Sequence, residues 1–184
     1  MNHNILSLDQ SITSTGLCVF KQNGDLLHFE CIKTDKSKTD PERISMIGLR
    51  IIKIYQDYSC GYVICEGLAF SAMGDATRKL ASLMGVIENK FLESYGYKEI
   101  PKVTPTSLKK FATGSGKAKK KEMMDSLPKP IYDKFYEAGY KRTTGLADLA
   151  DAYYLGRYFL ESDDMKRMLI SLKQVDQLTD LNNI

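Results

Sequence analysis

The chain has 184 residues, the length of one ordinary domain and enough to bury a core without staples. With 43% hydrophobic and 27% charged residues it has the composition of a globular protein, which excludes a disordered or fibrous chain. No run approaches the roughly 18 apolar residues of a membrane span, and the polar start Met1-Asn2-His3-Asn4 does not read as a signal peptide. The expected setting is therefore the cytoplasm, with no membrane. Four cysteines without paired spacing and only two histidines argue against zinc modules, a disulfide framework and a serine–histidine triad. Cys18, Cys31 and Cys65 lie in apolar runs and are expected as buried free thiols. The net charge of +3 identifies no partner, but its distribution is informative.

Asn4 to Asp9 reads as a buried strand ending in a carboxylate, followed by a polar turn from Gln10 to Gly16. Leu17 to Phe20 is a second strand, Asn23-Gly24-Asp25 a hairpin turn, and Leu26 to Ile32 a third strand. Pro41-Glu42 opens a helix that Asp40 is placed to cap, with Ile44, Ile47, Ile51 and Ile54 at helical spacing up to about Tyr58. Gly61 to Glu66 is a fourth strand, again ending in an acid. A loop from Gly67 to Ala76 leads to a helix predicted over Thr77 to Tyr95, and Glu99 to Val103 forms an edge strand limited by Pro101. Short helices follow from Thr104-Pro105 to Phe111 and from Lys119 to Leu127, where Pro128 and Pro130 stop the second. A last helix runs from a Thr143 or Thr144 cap to about Leu160. This order predicts one mixed α/β domain.

Asp9 and Glu66 each end an apolar strand, where α/β sheets bind ligands in the crevice beyond their carboxyl ends. Asp148 and Asp151 are three residues apart on a predicted helix and so share a face. Taken singly, each acid reads equally well as a turn residue, a strand-end charge or a solvated helix face. Taken together they form a set that needs cations, since two carboxylates ~4 Å apart repel by roughly 4 kcal/mol at an effective dielectric of 20. Hard oxygen ligands without histidine or thiolate suit magnesium or manganese. Two such ions ~3.5–4 Å apart would serve an in-line phosphodiester displacement.

Between Ile100 and Lys121 lie seven lysines and no acid: Lys102, Lys109, Lys110, Lys117, Lys119, Lys120 and Lys121. A solvated basic face would look the same. These lysines, however, flank Gly114-Ser115-Gly116, whose glycines would let backbone approach a phosphate. The run from Lys117 to Lys121 also begins a helix, where cations oppose the dipole unless an anion binds. Nucleic acid is the expected partner. Phe70, between Gly67 and Gly74, reads either as a core residue or as a wedge that stacks in opened nucleic acid.

These residues together resemble the RuvC family of Holliday-junction resolvases. The likeness is carried by Leu6 to Ser11 with Gly16, Ile64-Cys65-Glu66, Val103 to Lys110, Gly114 to Lys120, and Asp148 to Ala152. These motifs follow the family's order over roughly residues 4–160. The resemblance implies a ribonuclease H-like α/β fold, a mixed five-stranded sheet with three antiparallel and then parallel strands and helices on both faces. It implies a nuclease domain over 1–160, while 161–184, expected from its amphipathic pattern as a C-terminal helical tail of the same domain, has no counterpart in the family. It further implies that Asp9, Glu66, Asp148 and Asp151 hold two Mg2+ ions, for which Mn2+ can substitute, and that Lys120 joins them in catalysis. Lys109 matches a family residue that contacts DNA, and Phe70 falls near the family's junction-opening aromatic; Lys110, Lys117, Lys119 and Lys121 are expected to bind the branched DNA too, although Lys119 and Lys121 exceed the family's usual pattern. The family acts as a homodimer, and Thr77 to Tyr95 takes the place of its dimer helix. There Ala81 and Gly85 would permit close helix approach or would pack onto the sheet. The short chain and divergent motifs look like a phage or viral version. The implied activity is structure-selective endonuclease cleavage of branched DNA by paired nicks. A nuclease on RNA or RNA–DNA hybrid is an alternative. So is a nucleotide-binding module of actin-like type, whose phosphate loop the Asp9–Gly16 hairpin also resembles, or a junction binder without catalysis.

Overall fold

The computed structural model describes residues 3–68, 74–97 and 99–162. Strand alternation builds the sheet. β1 (Asn4–Asp9), β2 (Ser14–Phe20) and β3 (Leu26–Lys33) form the expected antiparallel meander, with Gly24 in a left-handed conformation (φ +95°) at the hairpin. β4 (Cys60–Glu66) then pairs parallel to β1, and the two-residue β5 (Lys102–Val103) pairs parallel to β4. The order β3-β2-β1-β4-β5 leaves β5 at an edge, with Pro101 just outside the ladder. A proline cannot donate to that ladder, which is why the strand spans less than Glu99 to Val103.

Each face of the sheet is covered by helices. Leu6, Leu8, Leu17, Val19 and Val63 point to one side. They pack there on α1 (Asp40–Asp57) and α2 (Asp75–Tyr95), chiefly through Ile47, Ile51, Leu83 and Phe91. Ile5, Cys18, Phe20 and Ile64 point to the other side, onto Leu149, Ala152 and Leu155 of α6 (Leu146–Glu161). Around α6 stand α3 (Pro105–Thr113), α4 (Lys120–Asp125) and α5 (Lys129–Glu137). Among the described residues no helix is long and apolar enough to cross a membrane. All four cysteines are free and buried, Cys60 included.

Several local expectations are corrected. α1 is capped by Thr39, whose N–H and hydroxyl both donate to the Glu42 carboxylate (2.8 and 2.7 Å). Asp40 is instead the first helical residue and pairs with Arg43 and Lys79, each at 3.1 Å. α6 begins after Gly145 (φ +111°) rather than at Thr143 or Thr144. The Thr144 hydroxyl accepts the Lys141 N–H at 2.7 Å and closes the preceding turn. β2 starts at Ser14, three residues before the expected Leu17, because the register with β3 continues through Ser14↔Lys33. Pro128 and Pro130 end α4 as expected but also open α5, since proline is tolerated in a first helical turn. Ala81 and Gly85 do not pack onto the sheet. Both are exposed on α2, and a Cβ built on Gly85 meets nothing within 4 Å. α6 ends at Glu161, and residues 163–184 of the expected helical tail, like Phe70, lie outside the described residues.

One packing constraint reaches the carboxylate face. Gly16 lies so close to α6 that a Cβ there would run into the carbonyl of Asp148. Gly16→Ala is expected to force the helix off the sheet at an overpacking cost of about 1–3 kcal/mol. Thermal denaturation would read this as about 2–4 °C per kcal/mol, and an unchanged Tm would refute the contact.

Candidate active site

The period of two along a strand aims both strand-end acids the same way. In β1, Ile5, Ser7 and Asp9 share the α6 face, and in β4 Ile64 and Glu66 do so. Because Leu8 is paired with Cys65, the next residues, Asp9 and Glu66, leave the sheet side by side. Above them α6 brings Asp148 and Asp151, one turn apart. Buried Ser7 fixes the helix in this place, its hydroxyl donating to the carbonyl oxygen of Ala152 (2.7 Å) and lying 3.2 Å from that of Cys18. Buried Gln10 donates its side-chain N–H to the backbone carbonyl of Glu66, tying the segment after β1 to the end of β4. Arg43 anchors that same segment from α1, bonding Thr34 Oγ1 at 2.9 Å and the carbonyl of Ile12 at 3.0 Å.

Three of the four acids are strongly perturbed. Burial, then the charges of Asp151, Glu66 and Asp148, hold the Asp9 carboxyl well above the usual carboxylate range, with Lys120 opposing. Burial and the Asp151 charge push Glu66 up to about 7, against Lys109 and Lys120. Asp151 rises to about 6, again chiefly through burial, with Lys120 and Lys109 pulling down and Asp148 pushing up. Asp148 differs in its bonding: Oδ2 accepts the Ser14 hydroxyl at 2.6 Å, while Oδ1 faces the Lys120 ammonium at 3.8 Å. Among the described residues, no three acids, histidines or cysteines close around one point as a finished cage. The four acids thus share an electrostatic environment without already enclosing an ion. All their donors are oxygen. The nearby Cys31 thiol is pushed up to about 12 and donates to the Gly145 carbonyl, so it adds no thiolate. A hard divalent cation fits this set.

The basic segment divides. Lys120 at the start of α4 faces Asp148 at 3.8 Å, and the charges of Lys120 and of Lys109 on α3 act on Glu66 and Asp151. Lys110, Lys117, Lys119 and Lys121 are exposed beside them. Lys102 is taken out of the group, since its ammonium is 2.5 Å from Glu88. The loop glycines have local roles: Gly114 ends α3 with φ +80°, and a Cβ on Gly116 would press on Thr106. The start of α4 is satisfied internally, because the Glu122 carboxylate accepts the Lys119 N–H at 2.6 Å, so no external anion is required there. Ser7, Gln10, Ser14 and Arg43 are functional supports that sequence reasoning missed. Period-two alternation carries the signal for Ser7 and Ser14, once β2 is known to begin at Ser14.

This sheet is the fold of the ribonuclease H-like resolvases. A solved structure of Thermus thermophilus RuvC in complex with Holliday junction substrate superposes with a TM-score of 0.64 at 22% identity, covering 84% of this chain and 90% of that one. The family profile described as crossover junction endodeoxyribonuclease RuvC matches residues 5–129, more than half of the sequence. The chain belongs to the RuvC family of crossover junction endodeoxyribonucleases. Relatives of that same description share 26% identity. The one from Sulfurovum sp. aligns over 89% of this chain and 99% of its own length, the one from Alkaliphilus metalliredigens over 67% and 76%.

Raised carboxyl pKa values make the metal-free protein pH-sensitive. Folding favours the protonated acids, so this stabilisation is complete below the unfolded-state values and is lost as pH rises through about 6 for Asp151 and about 7 for Glu66. In chelator, Tm is expected to fall between about pH 5 and pH 8, and to fall less in Asp9→Asn, which removes one repelling charge. Comparing the two proteins cancels the opposite contribution of His28, whose pKa is lowered chiefly by burial. Parallel pH curves for both proteins would contradict the coupling.

Proposed function

We propose that this protein resolves four-way DNA junctions or similar branches by paired, metal-dependent nicks, each made at the Asp9, Glu66, Asp148 and Asp151 cluster. The observation that carries the reading is the gathering of four carboxylates, three of them desolvated and resistant to ionisation, against Lys109 and Lys120. Such a set is complementary to cations in its centre and to a phosphodiester at its rim. Bound there, two divalent ions, Mg2+ or in its place Mn2+, would supply Lewis-acid polarisation of the phosphate and a nucleophilic water at neutral pH. The four acids would hold them, losing their protons to do so.

The chain's own residues do the rest. Lys120, exposed and beside Asp148, is placed to meet a non-bridging oxygen of the scissile phosphate as charge develops there. Lys109 serves the same phosphate from α3, and Lys110, Lys117, Lys119 and Lys121 follow the strand beyond it. Ser7 and Gln10 keep the acids from moving apart as charge shifts. Two symmetric nicks call for two sites, hence a homodimer. The open surface of α2 around Ala81 and Gly85 supports close approach of a second helix. In this reading 1–160 is the nuclease domain, Phe70 opens the junction, and the protein works in the cytoplasm.

Purified protein on a synthetic four-way junction tests the reading. Paired incision is expected with Mg2+, none with chelator, and a fall of more than about 100-fold for Asp9→Asn. Incision undiminished in Asp9→Asn would overturn it, and preferred cleavage of an RNA–DNA hybrid in competition would reassign the substrate. If five of the lysines meet phosphates, log affinity should fall against log salt with a slope of about −4.5, whereas a flat response would refute the contact set.

A further inference from the structure

Asp148 is set apart from the other three acids by its neighbour on the sheet. The Ser14 hydroxyl donates to its Oδ2 at 2.6 Å, the length of a charge-assisted bond. No hydroxyl or amide side chain among the described residues does this for Asp9, Glu66 or Asp151. The donor is rigidly mounted. Ser14 opens β2 on the face that carries Gly16, Cys18 and Phe20 towards α6, and its backbone is in register with Lys33. Next to it, fully buried Thr15 donates its hydroxyl to the Ser11 carbonyl at 2.7 Å and accepts the Ser11 N–H at 3.2 Å. Two residues on, Gly16 lies against the carbonyl of Asp148 itself. Both the backbone and the carboxylate of Asp148 are therefore referred to one strand.

The second neighbour of the Ser14 hydroxyl is Cys31, whose own S–H donates to the Gly145 carbonyl at 3.2 Å, while the single serine proton is directed to Asp148 Oδ2. The remaining oxygen, Oδ1, is turned towards Lys120. From this geometry we infer that Ser14 is a positioning residue that makes Asp148 a one-oxygen ligand, holding Oδ2 and presenting Oδ1 to the cation. The inference rests on the metal-dependent reading above. The Lys120 ammonium already faces that same oxygen, so a cation held there would compete with it and leave Lys120 available to a phosphate.

The test is Mn2+ binding to the DNA-free protein, followed by electron paramagnetic resonance and calorimetry, in wild type, Ser14→Ala, Ser14→Thr and Ser14→Val. Threonine and valine share a shape and differ in the hydroxyl alone, so their comparison stands even if the alanine variant folds poorly. Ser14→Ala and Ser14→Val are expected to weaken Mn2+ by about 10–100-fold, and Ser14→Thr to keep it within a few-fold of wild type. Junction cleavage by Ser14→Val should recover as Mn2+ is raised to saturation. Equal Mn2+ affinity in Ser14→Thr and Ser14→Val would overturn the role of Ser14. Wild type that binds no Mn2+ would instead defeat the assignment of the acids as metal ligands, a distinguishable failure.

Discussion

Carboxylates held together away from water repel, and the architecture on both sides of the site is organised around containing that repulsion. Asp9 and Glu66 cannot separate because β1 and β4 are hydrogen-bonded neighbours in the middle of the sheet. Asp148 and Asp151 cannot lift away, because α6 is pressed onto β1 and β2 by a continuous apolar contact that includes Phe20, Leu149, Leu155 and Phe159. Burial of side chains of that size, at roughly 1.5–3 kcal/mol each, readily outweighs the repulsion of a few partly protonated acids. The close approaches of Gly16 to Asp148 and of Gly156 to Phe20 show how tightly helix and sheet meet. The protein thus stores an unfavourable charge arrangement inside a favourable apolar one.

That arrangement explains why acids and lysines occupy the same corner. Lys109 and Lys120 lower the carboxyl pKa values that burial raises, so they moderate the cluster before any cation or DNA arrives. Lys120, at 3.8 Å from Asp148, is not held in a tight ion pair as Lys102 is by Glu88. So long and half-exposed a pair contributes little stability, and redirecting Lys120 to a phosphate costs little.

Much of the fold was legible in local pattern. Alternation in β1 to β4 and helical spacing in α1 and α2 are backbone periodicities written directly in the residue order. The strand-end position of Asp9 and Glu66, and the shared face of Asp148 and Asp151, follow from them. Where local rules competed, the outcome turned on which partner claimed each residue. Asp40 has a capping side chain, yet Lys79 and Arg43 claim it and Thr39 caps α1. Pro128 and Pro130 read as terminators although they also suit the opening of α5. The glycines of the 114–116 loop suggested a phosphate cradle, but the left-handed turn at Gly114 and the Thr106 contact at Gly116 account for them.

By itself the sequence determined the alternating strands, the four acids and the lysine-rich stretch, because side-chain chemistry and backbone period are local properties. Only the tertiary structure decided which lysines meet the acids, that Lys102 does not, and that Ser14 holds one oxygen of Asp148. Those outcomes depend on distances between residues up to 134 positions apart, set by how α6 seats on β2, and no local pattern encodes that seating.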